Sequence, residues 1–186
     1  MRKFATLLLA GTVAVSALAT AAAYAQNPMV GGAAMYATKN IVENAVNSKD
    51  HTTLVAAVKA GGLVDTLQSA GPFTVFAPTN EAFSALPAGT VDTLLKPENK
   101  DKLVKILTCH VIAAKALAAD VTKMVMDDGG AHKAKTAGGC ELTLKTDGGK
   151  VTVTDENGNV ANVTIADVEQ SNGVIHVIDK VLLPKM

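Results

Sequence analysis

The first half of the chain places its apolar residues three and four positions apart, which is the spacing of one face of an α-helix. The pattern is strongest over Glu98–Thr108, where Leu103, Ile106 and Leu107 form the expected buried face. A weaker stripe is interrupted at Gly61–Gly62, and Gly61 suits a helix C-terminus. The predicted helical segments cover residues 39–47, 54–58, 63–67, 79–86, 90–95 and 98–108.

From Gly138 onward, apolar and polar residues alternate, which is the pattern of half-exposed β-strands. Tight turns are predicted at Asp147–Gly149 and at Asn157–Gly158. Val174–Asp179 is apolar on both faces, so it is expected to lie centrally in the sheet. The predicted strands cover residues 141–145, 150–154, 160–166 and 174–179. Helices followed by antiparallel strands define an α+β fold.

One segment, Gly71–Phe83, joins the two halves. Its residues Phe73–Ala77 are β-formers, and Pro78 ends the strand. Thr79 is a good N-cap for the following helix, with Asn80 in the first turn. This segment is therefore predicted to be the link between helices and sheet.

The N-terminus has the three regions of a secretory signal peptide. Arg2 and Lys3 precede an apolar run, which ends in the cleavage pattern Ala23-Tyr24-Ala25. We predict a signal peptide over residues 1–25, and favour its cleavage over its retention as a membrane anchor. Residues 26–36 are rich in Gly and Ala and predict a flexible leader before a domain over residues 37–184. The mature protein is expected in the periplasm or outside the cell, without a transmembrane anchor.

The charge of the chain restricts the partners that it could bind, and its cysteines indicate the redox compartment in which it folds. Without Arg2 and Lys3, 17 − 2 = 15 basic side chains face 17 acidic ones, and no basic block exists. Nucleic acid is therefore not an expected partner. The two cysteines, Cys109 and Cys140, favour one disulfide in an exported protein over two buried thiols. Two cysteines without a nearby His pair cannot supply the four ligands of a zinc site.

Two segments resemble the signature boxes of the fasciclin domain family. GPFTVFAPTNEAFSAL (residues 71–86) is similar to the first box, and SNGVIHVIDKVLLP (residues 171–184) is similar to the second. Between them, residues 105–112 resemble the family's Tyr-His segment, with Cys109 where tyrosine is usual and His110 retained. The resemblance covers about residues 37–184 and has both boxes in order. The chain is similar to single-domain secreted bacterial fasciclin proteins.

The resemblance implies a fold and a class of function. The expected fold is a twisted antiparallel β-sandwich or wedge, with helices packed along one side. Members are mainly associated with adhesion and with binding to cells, matrix or other proteins, and catalysis is not general among them. We therefore predict a non-catalytic monomer that binds a protein or a surface or matrix component. A small-molecule carrier, with a pocket between helices and sheet, is the alternative.

The chemistry-bearing residues give no sign of catalysis or of a bound cofactor. No serine lies in a nucleophile elbow, and the four histidines are not at metal-ligand spacing. His110 is interpreted as a buried residue that joins helix to sheet, in preference to a pH sensor or partner contact. His176, in the last strand, is likewise interpreted as structural. Val121–Asp128 suggests an exposed loop, although core filling by its methionines is favoured.

Overall fold

This computed structural model describes residues 27–185, and most of its helices pack against one face of a β-sheet. Short 3₁₀ turns, Lys49–His51 and Pro97–Asn99, precede two of them. No helix in the described range is long and apolar enough to span a membrane. The seven helices are α1 (Ile41–Ala45), α2 (Thr52–Gly61), α3 (Val64–Gln68), α4 (Asn80–Ser84), α5 (Thr90–Leu94), α6 (Lys100–Cys109) and α7 (Ala118–Asp127).

Within residues 27–185, nine strands form a small hairpin and a seven-stranded sheet in the order β4-β3-β9-β8-β7-β6-β5. All neighbours are antiparallel except β3 and β9, which are parallel. The predicted α+β fold and the central position of the last strand are confirmed, but the parallel pair was not predicted. The strands are β1 (Met29–Val30), β2 (Ala33–Ala34), β3 (Phe73–Pro78), β4 (Val111–Ile112), β5 (His132–Lys135), β6 (Glu141–Asp147), β7 (Lys150–Thr154), β8 (Val160–Gln170) and β9 (Gly173–Ile178).

Strand β8 connects the two halves of the sheet. Its first residues pair with β7, and the stretch from Val163 to Gln170 pairs with β9. Two register shifts, on either side of Ile165, bend the strand between these pairings. The bend separates two hydrophobic cores. One lies between the sheet and helices α1–α6, and the other lies among β6, β7, β8 and α7.

The two ends of the sheet approach each other at the disulfide. The Ala137 N–H donates to the Val111 carbonyl at 2.7 Å, so the segment after β5 contacts β4. Cys109 and Cys140 form the predicted disulfide, with Cα atoms 5.4 Å apart. Gly138 allows this approach, because a Cβ atom there would lie 2.6 Å from Thr108 Oγ1. The bridge therefore holds the end of α6 against the turn between β5 and β6.

We expect loss of this disulfide to lower the free energy of unfolding by about 4 kcal/mol, because the bridge closes a loop of 31 residues in the unfolded chain. The measurement is urea unfolding of Cys109→Ser/Cys140→Ser. Cys140→Ser alone should match the double variant, since either change removes the bridge. Ready alkylation of both thiols in the unreduced native protein would contradict the assignment.

The predicted leader is corrected for the part of it that the structure describes. Residues 29–34 form the β1–β2 hairpin, and Val30 and Met35 are buried in the core. The Tyr36 N–H donates to Asn44 Oδ1 at 3.0 Å, and Asn44 Nδ2 donates to the Tyr36 carbonyl at 2.8 Å. These contacts fix the segment to α1, so the packed domain begins before residue 37. The predicted signal peptide, residues 1–25, lies outside the described residues.

The segment suggested to be an exposed loop is also corrected. Residues 121–127 belong to α7, and Val121 and Val125 are buried against the second core. Their spacing of four residues places them on one helix face. Met124 packs partly against this core, whereas Met126 is 66 % exposed. The apolar face of α7 therefore covers the half of the sheet that the other helices leave open.

Candidate functional site

The two signature segments lie side by side at the centre of the sheet. Strand β3 comes from the first segment and β9 from the second, and their parallel register pairs Phe76 with His176. The two rings stack with centroids 5.7 Å apart. Both side chains are buried, His176 at 2 % exposure and Phe76 at 0 %. The two motifs, whose paired residues are 100 positions apart in sequence, therefore make one continuous structural unit.

His110 attaches the end of α6 to this unit. Its carbonyl accepts a hydrogen bond from the Phe76 N–H at 2.9 Å. Nδ1 donates to the Ile106 carbonyl at 2.8 Å, and Nε2 accepts from the Leu182 N–H at 2.9 Å. The ring thus contacts the helix on one side and the chain after β9 on the other. These are the backbone contacts on which the structural interpretation of His110 depends.

Burial keeps the His110 ring neutral. Removal from water lowers its pKa to about 4, although the Ile106 carbonyl and the charge of Asp155 act in the opposite direction. The hydrogen bonds give a second reason, because a proton on Nε2 would face the Leu182 N–H donor. Both ring nitrogens are engaged, so the ring presents neither of them to a substrate.

His176 has a similar arrangement on β9. Its Nε2 donates to the Ala116 carbonyl at 2.9 Å, and its Nδ1 accepts from the Asp167 N–H at 3.3 Å. Burial lowers the pKa of this ring, against smaller contributions from the Ala116 carbonyl and the Asp167 charge. The ring therefore joins β9 to the β4–α7 connection and to the bend in β8. A direct contact between either histidine and a partner stays a prediction.

Thr79 and Asn80 organise two helix N-termini. The Thr79 hydroxyl accepts from the Ala82 N–H at 3.3 Å, which makes it the N-cap of α4. Asn80 Oδ1 accepts from the Thr53 N–H at 3.0 Å, and its Nδ2 donates to the Lys49 carbonyl at 2.8 Å. Asn80 therefore supplies to α2 a cap that α2 lacks in its own sequence.

Asn172 is a further structural residue that sequence reasoning did not single out. Its Oδ1 accepts from the Ile41 N–H at 3.1 Å. Its Nδ2 donates to the Leu67 and Ser69 carbonyls at 2.7 and 2.9 Å. One buried side chain thus provides hydrogen-bond partners for backbone groups at the start of α1 and at the end of α3. The Asn-Gly pair before β9 was the available signal, because Asn in a turn often bonds to backbone groups.

An apolar cavity lies between helices α1–α3 and strands β3 and β9. Its volume is about 50 Å³, and its walls are almost entirely aliphatic. Whole small-molecule ligands occupy pockets of roughly 300–1,000 Å³. The cavity is therefore large enough for only part of such a ligand. Two histidines, His51 and His110, contribute to its wall.

Potential metal ligands in the described part of the chain are not clustered. Among residues 27–185, no three His, Cys, Asp or Glu side chains are grouped as a metal site would require. Asp155, in the turn between β7 and β8, accepts from the Asn157, Asn159 and Leu183 N–H groups at 2.9 Å each. Its carboxylate therefore joins the β7–β8 turn to the C-terminal segment.

Comparison with known proteins identifies the family. A model of the Fasciclin domain matches residues 49–184, which is most of the chain. Protein sll1483 of Synechocystis sp. is 52 % identical over 161 residues, covering 87 % of this chain and 82 % of the relative. Immunogenic protein MPB70 of Mycobacterium bovis is 35 % identical over 204 aligned positions, covering 97 % and 95 %. The chain belongs to the fasciclin domain family, as its two signature segments predicted.

A solved structure supports the same fold. The FAS1 domain pair from the insect cell adhesion molecule fasciclin I aligns with a TM-score of 0.70 at 20 % sequence identity. The match covers 78 % of this chain and 51 % of that one, so one domain here corresponds to about half of the pair. The predicted fasciclin-like fold is thereby confirmed.

Proposed function

We propose that this protein is an exported adhesion or protein-interaction module that acts without catalysis. The observation that carries the proposal is the fasciclin domain over residues 49–184, whose fold is shared with domains of a cell adhesion molecule. The signal-like pattern over residues 1–25 and the Cys109–Cys140 disulfide support export to an oxidising compartment. The partner is a protein or a surface or matrix component, and the module binds it as a monomer.

We place the contact surface at the N-terminal end of the domain. Three large apolar side chains are exposed there: Met29 at 59 %, Tyr36 at 43 % and Val46 at 49 %. Their segments touch, because Tyr36 bonds to Asn44 and the Lys49 N–H donates to the Gly31 carbonyl. Lys39 lies over the Tyr36 ring, 5.1 Å from its centroid. Aromatic and apolar side chains beside a cation are typical of protein contact surfaces.

The test measures binding of purified protein to immobilised cell-envelope and extracellular-matrix extracts. We expect Met29→Ser/Tyr36→Ser/Val46→Ser to reduce binding at least tenfold, which is the order of one hot-spot loss or more. Met126→Ser/Val160→Ser is the matched control, because it removes exposed apolar side chains elsewhere and should leave binding unchanged.

Two results would count against the proposal. The first is absence of binding by the unaltered protein, together with a deletion strain that attaches to surfaces as its parent does. The second, equal loss of binding in both sets of variants, would reject the N-terminal location of the contact surface.

A further inference from the structure

His51 carries a polar atom without a partner inside the helical core. The residue ends the 3₁₀ turn before α2 and is 3 % exposed. Its Nδ1 lies 2.9 Å from Ser48 Oγ, so one side of the ring is engaged. Its Nε2 is the single buried side-chain nitrogen or oxygen, among those the structure describes, that has no hydrogen-bond partner. Native interiors satisfy nearly all such atoms, so an exception needs an explanation.

The ring of His51 forms part of the wall of the 50 Å³ cavity. Burial lowers its pKa, and the Ala77 carbonyl and Asp50 oppose this shift less strongly. The ring is therefore neutral at pH 7. The Ala77 carbonyl lies near the ring without the geometry of a hydrogen bond to Nε2. A ligand atom in the cavity could complete the bonding of this nitrogen.

The remaining wall restricts what such a ligand can be. Its inner part is formed by buried aliphatic side chains such as Leu54, Val58 and Ile175. Its outer part includes the partly exposed Val42 and Val55 of α1 and α2. A charged group would have no opposite charge at the inner end, where burial of an unpaired charge is very unfavourable. Apolar walls with one hydrogen-bonding atom fit a neutral aliphatic molecule with one oxygen.

We propose that this cavity binds the polar end of a neutral aliphatic alcohol, ketone or ester, whose oxygen hydrogen-bonds to His51 Nε2. A volume of 50 Å³ holds about four water-sized groups, which corresponds to the oxygen and the first carbons of the chain. The rest of the chain leaves between α1 and α2, along Val42 and Val55. The site is independent of the proposed contact surface.

The primary test is an NMR titration of the purified protein with 1-hexanol, followed at the ¹⁵Nε2 resonance of His51. We expect a saturable shift of this resonance and binding at least tenfold tighter than that of hexanoate, because the anion would be buried unpaired. From 1-butanol to 1-hexanol, affinity should rise with each methylene by less than fourfold, the factor for full burial of one CH₂, because these carbons lie along the partly exposed Val42 and Val55. Equal or tighter binding of hexanoate would overturn the proposal and indicate a head group at Lys59, on the rim.

Variants separate the cavity from general surface effects. Val55→Phe should block the cavity and abolish the titration, whereas Val160→Phe, the same change on an exposed residue outside the cavity and the contact surface, should not. His51→Phe should weaken 1-hexanol binding about fivefold, the factor for one neutral hydrogen bond. If His51→Phe does not fold, the ¹⁵Nε2 shift of the unaltered protein and the two valine variants still test whether the cavity binds the alcohol. No His51 shift, or equal titration of both valine variants, would reject the site.

Discussion

Replacing Asn172 by alanine is expected to lower the free energy of unfolding by roughly 3–5 kcal/mol, although the substitution removes only the carbon, oxygen and nitrogen of the side-chain amide. The amide makes three hydrogen bonds: those to the Ile41 N–H and the Leu67 carbonyl are buried, and that to the Ser69 carbonyl is partly buried. Each backbone group left without a partner costs about 1–3 kcal/mol, because water cannot replace the lost bond. The measurement is urea unfolding at pH 7.

The matched control is Asn47→Ala, which removes an exposed amide. The side chain of Asn47 donates one hydrogen bond, to the carbonyl of Glu43 four residues earlier, and joins no other element. That change should cost less than about 1 kcal/mol, because water replaces the lost partner. Equal effects of the two substitutions would show that Asn172 does not join α1 and α3 to the sheet. Asn172→Asp tests the same point, since it keeps the acceptor for Ile41 but loses both donated bonds.

Local patterns predicted those parts of the fold that depend on neighbouring residues. The alternation in β6 and β7 follows from a sheet with one face in the core, and the capping of α4 by Thr79 depends on residues three positions apart. The pairing of β3 with β9 joins residues about 100 positions apart. Hydrophobic periodicity specifies that a strand is buried and does not specify its neighbour, so the parallel pair could not be read from it.

The two corrected segments differ in what the sequence offered. Gly31 and Gly32 both have positive φ in the two-residue turn of the β1–β2 hairpin, and a Gly-Gly pair between apolar residues is a signal for such a turn. The signal was outweighed by the Gly/Ala composition around it. In α7, the spacing of Val121 and Val125 was the helical signal, and the Asp-Gly sequence that follows marks its end.

The contacts of the candidate residues could not be predicted from the sequence. Thr79, Asn80, His110 and His176 were singled out from helix-cap chemistry and from the family resemblance, and the structure shows each of them in hydrogen bonds to the backbone. Asn80 contacts α2, whose N-terminus is 27 residues earlier in the chain, so no local rule connects them. His51 was visible only as one of four histidines, because an unpaired nitrogen is a property of the folded core.

Acidification is expected to destabilise the protein through its buried histidines. The folded-state pKa of His110 is about 4, below its ordinary value of 6.5, so the unfolded chain binds a proton first as the pH falls. Stability is therefore fully present above pH 6.5, and it is lost progressively as the pH falls from 6.5 through 4. The shift corresponds to about 3 kcal/mol in total, of which about 2 kcal/mol is lost between pH 7 and pH 5. His51 and His176, whose pKa values burial also lowers, act in the same direction.

The measurement is the free energy of unfolding in urea at intervals from pH 7 to pH 5, above the range in which most carboxylates titrate. His110→Gln should be less stable than the unaltered protein at pH 7, because it loses the ring's hydrogen bonds to the Ile106 carbonyl and the Leu182 N–H. Between pH 7 and pH 5, its free energy of unfolding should fall by about 2 kcal/mol less than that of the unaltered protein. His132→Gln is the control, because this partly exposed ring bonds to the Asp128 carboxylate at 2.6 Å, away from the signature segments. Equal losses of stability between pH 7 and pH 5 in His110→Gln and the unaltered protein would show that the acid response comes from groups other than His110.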